Sequence, residues 1–600
     1  MKKKTYSYIA LFALCLTLLS ISCSDNFIDQ PAIGAYDESV LANKEGINSL
    51  LIGCYAQLNG TNNGFSGMLS SPWTKLLGDV RGGEAIVGTE AGDGASWEPF
   101  ATWYILPTTS FLPNVFQFYY NAISMTNQLV GLVPDASDMT DEEKTIALAE
   151  AKFLRAHYYY MLKRVWGNIP WVDETDGINV KKPNADENGN YIDCWPNIEA
   201  DMKYAADNLP ETQTEFARAN SWAAKAYLVK LRMAQKKYDA ETYNLCLDVV
   251  NNGVTSKGEA YGLMPNYHDN FDPEQENNKE NVFQVQISVN GYAMSGFGWF
   301  SGDNTINPDN VWIGTQRPGS PGYGRGWGYY APSQWFVDKF RVNPSDSLPY
   351  LDYYATNSNP VKNDYGLAST DPFTPTTEPL DPRLDWMVGR RGIPYLDWGV
   401  MPGTDWLRDA TGKYNGPYLQ KKWMYYKAFE GVHNYTGSAL NAINGHIIRF
   451  SDVLLWAAEL EVRVNSNLDA AVGYVNQVRA RMQNPEGWVK NEEGSAPAAN
   501  YKIGLYDAFA SSDQALDAIL FERSLELGLE GNRFFDVVRF GSTYIQKELQ
   551  NYVEFQSQFT AYLNGVTFNE GIDELAPFNQ SAIINSQING VPTLTQNPGY

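Results

Sequence analysis

Gly322, Gly324, Gly326 and Gly328 alternate with Tyr323, Arg325, Trp327 and Tyr329. Strand side chains repeat every second residue, so if this run is extended its four large side chains share one face. An aromatic face beside a guanidinium suits a ligand with a flat C–H surface and a rim of hydroxyls, as a sugar ring has. The other reading of the run is packing ahead of a helix at Pro332–Phe340. Trp299 and Trp312 flank it in loops, and each fits either a core or a site position. A second glycine-rich stretch, Gly78 to Trp103, gathers Asp79, Arg81, Glu84, Asp93, Trp97 and Trp103. Arg81 and Trp97 are its candidate ligand contacts. The alternative is a solvated loop touching a partner protein.

Catalytic chemistry is harder to find. Asp79, Glu84, Asp93 and Glu98 could supply the acid/base pair of a glycoside hydrolase, but 69 Asp and Glu make such neighbours commonplace. His157, His268, His433 and His446 form no HExxH or facing metal pair, and neither a GxSxG elbow nor a Walker loop occurs. Asn184, Asp186, Asn188 and Gly189 imitate the start of a calcium loop, yet the position of its bidentate Glu is Trp195. A polar turn accounts for them better. No catalytic group, metal or cofactor is expected.

These loops need a scaffold, and the sequence points to a helical one. From about residue 40 to 252 the apolar spacing is mostly helical, with pauses at Gly60–Gly67, Gly78–Pro99 and Trp171–Tyr191. In Ala149–Val172, Leu148, Ala151, Tyr158, Leu162 and Val165 build one apolar stripe, Lys152, Arg155 and Lys163 lie toward other faces, and Gly167 and Pro170 end the helix. Helices come in pairs: Ala219–Gln235 with Ala240–Asn251, and Ile447–Val464 with Leu468–Met482. Such hairpins are similar to tetratricopeptide repeats without the strict repeat signature. Between about 255 and 445 the composition turns to Gly, Pro, Trp, Tyr, Asn and Asp. There Phe283, Val285, Ile287 and Val289 alternate with Gln284, Gln286 and Ser288, the pattern of a half-buried strand. Loops this long are usually functional or disordered, and the aromatic content argues against disorder. The expected fold is mainly α: a tetratricopeptide-like scaffold with a large loop-rich, partly β insertion.

Several segments resemble, in order, the motifs of the SusD/RagB-like family of Bacteroidetes outer-membrane glycan-binding lipoproteins. Ala149–Val172 (AEAKFLRAHYYYMLKRVWGNIPWV) looks like AEAxFLRAxxYxxLxxxxGxxP, Leu41–Leu58 like the first family helix, and Arg218–Tyr238 like RxxxxAAxAxLxxxxLxxxxY. Asp381-Pro382-Arg383-Leu384 matches the DPRL turn, and Arg449–Ala458 (RFSDVLLWAA) and Val475–Arg481 (VNQVRAR) are similar to the two helices that follow. Ile519–Gly541 resembles IxxERxxELxxEGxRxxDLxRxG, and Leu594–Tyr600 (LTQNPGY) the family terminus. The resemblance implies a non-catalytic, surface-exposed protein that binds oligosaccharide or polysaccharide. It further implies a TonB-dependent SusC-like barrel as partner, over which the protein acts as a lid. Family members commonly take glycan contacts from the N-terminal loop and the central region, without a fixed motif. A glycoside hydrolase, or a helical-repeat adaptor binding protein or peptide, are the alternatives.

Charge and the N-terminus bound the answer further. Lys and Arg number 45 against 69 Asp and Glu, a formal charge of −24, and no basic run occurs outside Lys2-Lys3-Lys4, so a nucleic-acid partner is not expected. Three lysines, an apolar run from Ile9 to Leu19 and small residues before Cys23 have the form of a lipoprotein signal, although Ser20 stands where an apolar residue is usual. Cys23 is the expected lipidation site, placing the protein on the outer membrane by a lipid anchor. Cys54, Cys194 and Cys246 are too far apart for a disulfide framework or metal knuckle and read as small core residues. The expected division is a signal peptide at 1–22, an N-terminal helical region at 23–270 and a C-terminal region at 271–600. The last holds the loop-rich segment 271–445 and a helical return at 446–541.

Overall fold

The computed structural model describes residues 40–60, 74–177, 180–288, 313–314, 317–322, 326–353, 359–409, 411, 414–434 and 441–600, and the backbone of 292–295 and 299–302. Cys23, Trp312, Tyr323 and Arg325 lie outside the described residues, as does the side chain of Trp299.

Long helices dominate, and their caps show why they start where they do. Helix α1 is Lys44–Ala56, α2 Leu112–Leu132, α3 Asp141–Trp166, α4 Trp195–Asn208, α5 Ser221–Ala234 and α6 Ala240–Asn252. The side chains of Asn43, Asn220 and Asp239 accept hydrogen bonds from the first turns of α1, α5 and α6. Thr140 and Glu143 form a reciprocal capping box at the start of α3, and Gly167 (φ 65°) ends it. Each of α2 to α6 packs on its predecessor and successor, and α6 passes the stack on to α7, Phe450–Leu460. Helix α7 then packs on α8 (Leu468–Ala480) and α9 (Ser512–Leu527), and α10 (Arg533–Phe540) follows. The expected helical-hairpin scaffold is present, with one continuous apolar core running from Ile47 to Phe578.

Helix α3 is more central than its sequence suggests. Arg155 and Lys163, expected on outward faces, are 2% and 9% exposed. Arg155 donates to Asp201 Oδ2 (2.6 Å), Glu174 Oε2 (2.5 Å) and Asn127 Oδ1 (2.9 Å), so burial of its charge is matched by partners on α4, α2 and the loop between. The amphipathic stripe is real, but neighbours cover the other faces too.

Two sheet readings also change. The strand β1 is Asn281–Val285, buried along its whole length rather than on one face. It pairs antiparallel with β6, Gly445–Arg449, so residues read as the start of a helix at Ile447 are extended and α7 begins at Phe450. The remaining pairs are short: β2 Tyr292–Ser295 with β3 Trp299–Gly302, and β4 Val388–Gly389 with β5 Leu419–Gln420.

The separated sequence motifs meet in one buried ion network. Arg383 is bidentate to Asp381 (3.0 and 2.8 Å) and reaches Glu522 (2.6 Å) on α9. Arg449 joins Glu280 (2.7 Å), Glu526 (2.9 Å) and Glu530 (2.7 Å), while Arg479 and Arg481 on and after α8 reach Glu522 and Glu280 (2.7 Å each). Burial alone would raise Glu526 and Glu530; Arg481, Arg449 and Arg383 hold Glu526 well below the carboxylate range, and Arg449 and Lys422 bring Glu530 to about 2.

The last residues are tied down as well. Asn597 Nδ2 donates to Trp166 O and Ala576 O (2.8 Å each), and Asn184 exchanges hydrogen bonds with Thr595 (2.7 and 2.9 Å), so the 594–600 segment closes the C-terminal end of α3. Asp186 Oδ1 accepts from the backbone of Asn188 and Asn190 (2.9 Å each) in the polar turn expected at 184–189.

Candidate functional site

The two glycine-rich stretches come together. Segment 84–89 runs antiparallel to 328–333: Ser333 N donates to Glu84 O (3.0 Å), Ile86 N to Ala331 O (2.8 Å), Tyr330 N to Val87 O (2.9 Å) and Thr89 N to Gly328 O (2.7 Å). Gly88 (φ 81°) and Gly328 (φ 67°) make the approach possible, since a Cβ on Gly88 would stand 2.4 Å from Gly328 O. The left-handed backbone at Gly328 also breaks the regular alternation, so Trp327 and Tyr329 are not successive teeth of one straight strand.

That break sorts the candidates. Trp97 (4% exposed) and Tyr329 (5%) face inward and pack on each other at 4.1 Å between ring centres, with Tyr330 at 5.5 Å from Trp97. Tyr329 donates its hydroxyl to Asp93 O (2.9 Å), which ties the 89–97 loop down. Trp327 is half-buried and lies at the edge of the core. Of the expected common face, the two described members part company: Tyr329 packs inward on Trp97, and Trp327 lies at the outer edge.

Arg81 is corrected more fully. It is 0% exposed, donates to Asp573 O (2.6 Å), and lies 3.9 Å over the ring of Phe534 on α10. Burial brings its pKa down to about 10. Such a guanidinium joins the loop to the C-terminal region and offers nothing to a ligand on the surface.

Two of the four carboxylates weighed for acid/base work have structural tasks. Asp79 Oδ1 accepts from Gly531 N (2.7 Å), and Glu84 accepts from Ser524 Oγ (2.6 Å) and Leu529 N (3.0 Å), so both hold the turn between α9 and α10. Burial raises both, and Glu84 raises Asp79 further. Neither reaches solvent. Asp93 instead sits at the surface, accepting from Thr89 Oγ1 (2.9 Å).

Sequence reading missed the third wall. Arg408 Nη2 donates to Glu90 Oε1 (2.7 Å) and lies 4.0 Å from Asp93 Oδ2, linking residues 407–409 to the rim of the 84–97 segment. Tyr414 is 38% exposed. Asn415 is 0% exposed beneath Gly328, and both its amide atoms are buried without a hydrogen-bond partner. The polar run Arg408-Asp409-Ala410-Thr411 before Tyr414-Asn415-Gly416 was the available signal. Trp327, Glu90, Asp93, Arg408 and Tyr414 thus offer one aromatic edge, one exposed ring and a charged rim. Binding by stacking and hydrogen bonding is the chemistry they suit.

Comparison with known proteins identifies the scaffold that carries these loops. Residues 232–600 match the model described as SusD family, and residues 92–233 the one described as starch-binding associating with outer membrane. SusD-like protein P2 of Formosa agariphila is 25% identical over 556 residues, 90% of this chain and 91% of that protein. A SusD-like protein of Bacteroides ovatus is 25% identical over 290 residues, 45% of this chain and 48% of its own length. Among solved structures, a laminarin binding SusD-like protein has a TM-score of 0.61 at 21% identity, covering 93% of this chain and 100% of its own. Surface glycan-binding protein A of Bacteroides thetaiotaomicron in complex with laminarihexaose has 0.62 at 17%, covering 92% and 99%. With most of its length from 232 onward matched by the family model, the chain belongs to the SusD family.

Proposed function

We propose that the protein binds oligosaccharide or polysaccharide at the cell surface without cleaving it, and hands the glycan to a TonB-dependent, SusC-like barrel. The observation that carries this reading is the joining of segments 84–97, 326–333 and 407–409 into one rim with Trp327 at its edge, on a SusD-family scaffold. Its relatives include proteins whose names record glycan and laminarin binding. Asp79 and Glu84, two of the four carboxylates that prompted the enzyme reading, are engaged in the core, which favours binding over hydrolysis. A lipid on Cys23 would hold the protein beside its barrel and raise the effective concentration there, so a Kd of about 1 mM to 1 μM is enough. Trp299, Trp312, Tyr323 and Arg325 remain candidate contacts from the neighbouring segments.

The test is an affinity-gel screen over neutral and acidic polysaccharides, with pull-down from solubilised membranes. Retention by at least one glycan and recovery of a large β-barrel are expected. Recovery of a barrel with no glycan retained anywhere in the screen would favour the adaptor reading.

A further inference from the structure

A small cleft of about 30 Å³ opens between the α4–α5 connection, the turn after α6 and strand β1, sharing no lining residue with the rim described above. Phe216, Lys257, Asn277, Asn281, Gln284 and Gln286 line it. Asn277 takes a left-handed backbone (φ 56°), which asparagine tolerates better than most residues. Its Oδ1 accepts from Gln284 Nε2 (2.8 Å) and Gln286 Nε2 (2.9 Å), and its Nδ2 donates to Gln286 Oε1 (3.1 Å). This network leaves three amide atoms over. Gln284 Oε1, Asn281 Oδ1 and Asn281 Nδ2 are buried without a partner, on side chains 6% and 7% exposed.

The strand itself accounts for the placement. The β1–β6 register shifts between Asn281 and Phe283 and again between Phe283 and Gln284. Such irregularities re-aim side chains, so residues three apart can line one cleft. A buried amide left unpaired is costly, and a buried donor beside buried acceptors complements hydroxyls, each of which donates and accepts. Arg218, also in the lining, is already engaged by Glu150 (3.3 Å) and Glu215 (2.9 Å), and Lys257 Nζ lies 4.8 Å over the Phe216 ring, so neither cation is turned to the unpaired amides. Phe216, 48% exposed at the mouth, supplies apolar surface for C–H groups.

The cleft is too small for a sugar ring and large enough for one edge of it. We propose that it is a secondary carbohydrate contact, receiving vicinal hydroxyls of one neutral sugar residue in a chain held elsewhere on the protein. This rests on the glycan-binding reading. Two-point attachment would then favour long chains over short ones.

The experiment compares wild type, Phe216→Ala and Asn281→Ala, with circular dichroism to confirm folding. The probes are the polysaccharide retained best in an affinity gel and a short oligosaccharide of the same linkage measured by calorimetry. Polysaccharide retention should weaken about tenfold in both variants while oligosaccharide affinity stays unchanged. If Asn281→Ala does not fold, the exposed Phe216→Ala decides alone. Full polysaccharide retention by the folded variants would show a cleft that holds only water and would overturn this site, leaving the glycan reading standing. A wild type that binds no glycan would overturn both.

Discussion

Trp327 is half-buried at the edge of the rim and Trp97 is 4% exposed beneath it, so the same substitution should act differently at the two positions. Trp327→Ala should keep the fold and weaken glycan binding about tenfold, in line with losing a stacking face worth roughly 1–3 kcal/mol. Trp97→Ala should instead destabilise by about 3–5 kcal/mol through the cavity left against Tyr329 and Tyr330. Calorimetry paired with urea denaturation separates them, and a stable Trp97→Ala that binds poorly would reverse the assignment. Residue type and spacing were enough to bring both tryptophans forward from the sequence. They could not distinguish underside from edge, because that depends on the left-handed turn at Gly328 and on a partner segment more than two hundred residues away. Arg81 was still less legible: its acceptor is Asp573 and its ring contact Phe534, both far along the chain.

Among elements, the helices were readable because their caps and apolar spacing are local, as Thr140 with Glu143 and Gly167 illustrate on α3. The end of strand β6, from Ile447 to Arg449, was read as helix because its pairing partner β1 lies far upstream and its residues are apolar enough for either structure. The ion network gives the Arg and Glu residues of the separated motifs a structural task. Arg449→Met should leave Glu280, Glu526 and Glu530 short of a partner and cost about 3–5 kcal/mol, measured by urea denaturation. A loss below about 1 kcal/mol would show that the network is dispensable.

For the whole molecule, acid should be more damaging than the helical content suggests. Burial lowers His157 and His268 to about 3 and His446 to about 4, so the unfolded chain binds more protons at these sites and stability falls as pH drops below about 6.5. Glu530 and Glu548, both brought to about 2 by cations that outweigh burial, add a loss in the same direction from about 4.5 downward. Glu276, raised to about 8 by burial, and Asp338 and Asp364, raised to about 6, work the other way above about 4, so the net loss is concentrated where the histidines and Glu530 and Glu548 outweigh them. The urea midpoint should therefore fall most between about pH 4.5 and pH 3, and a midpoint that rises over that range would contradict the ion pairing of Glu530 and Glu548. No helix among the described residues is long and apolar enough to cross a membrane. Cys23→Ala should accordingly release the protein from the outer membrane with its fold intact, read by fractionation in a strain lacking the barrel; continued retention there would exclude Cys23 as the anchor.

The central claim is binding without cleavage, and calorimetry of the purified protein against its best-retained glycan, followed by assay of the recovered glycan for new reducing ends, tests it most directly. The account predicts saturable binding with a Kd between about 1 mM and 1 μM and glycan recovered at its original length. Steady release of reducing ends, abolished by substitution of Asp93 or Glu84 in a protein that still folds, would contradict it.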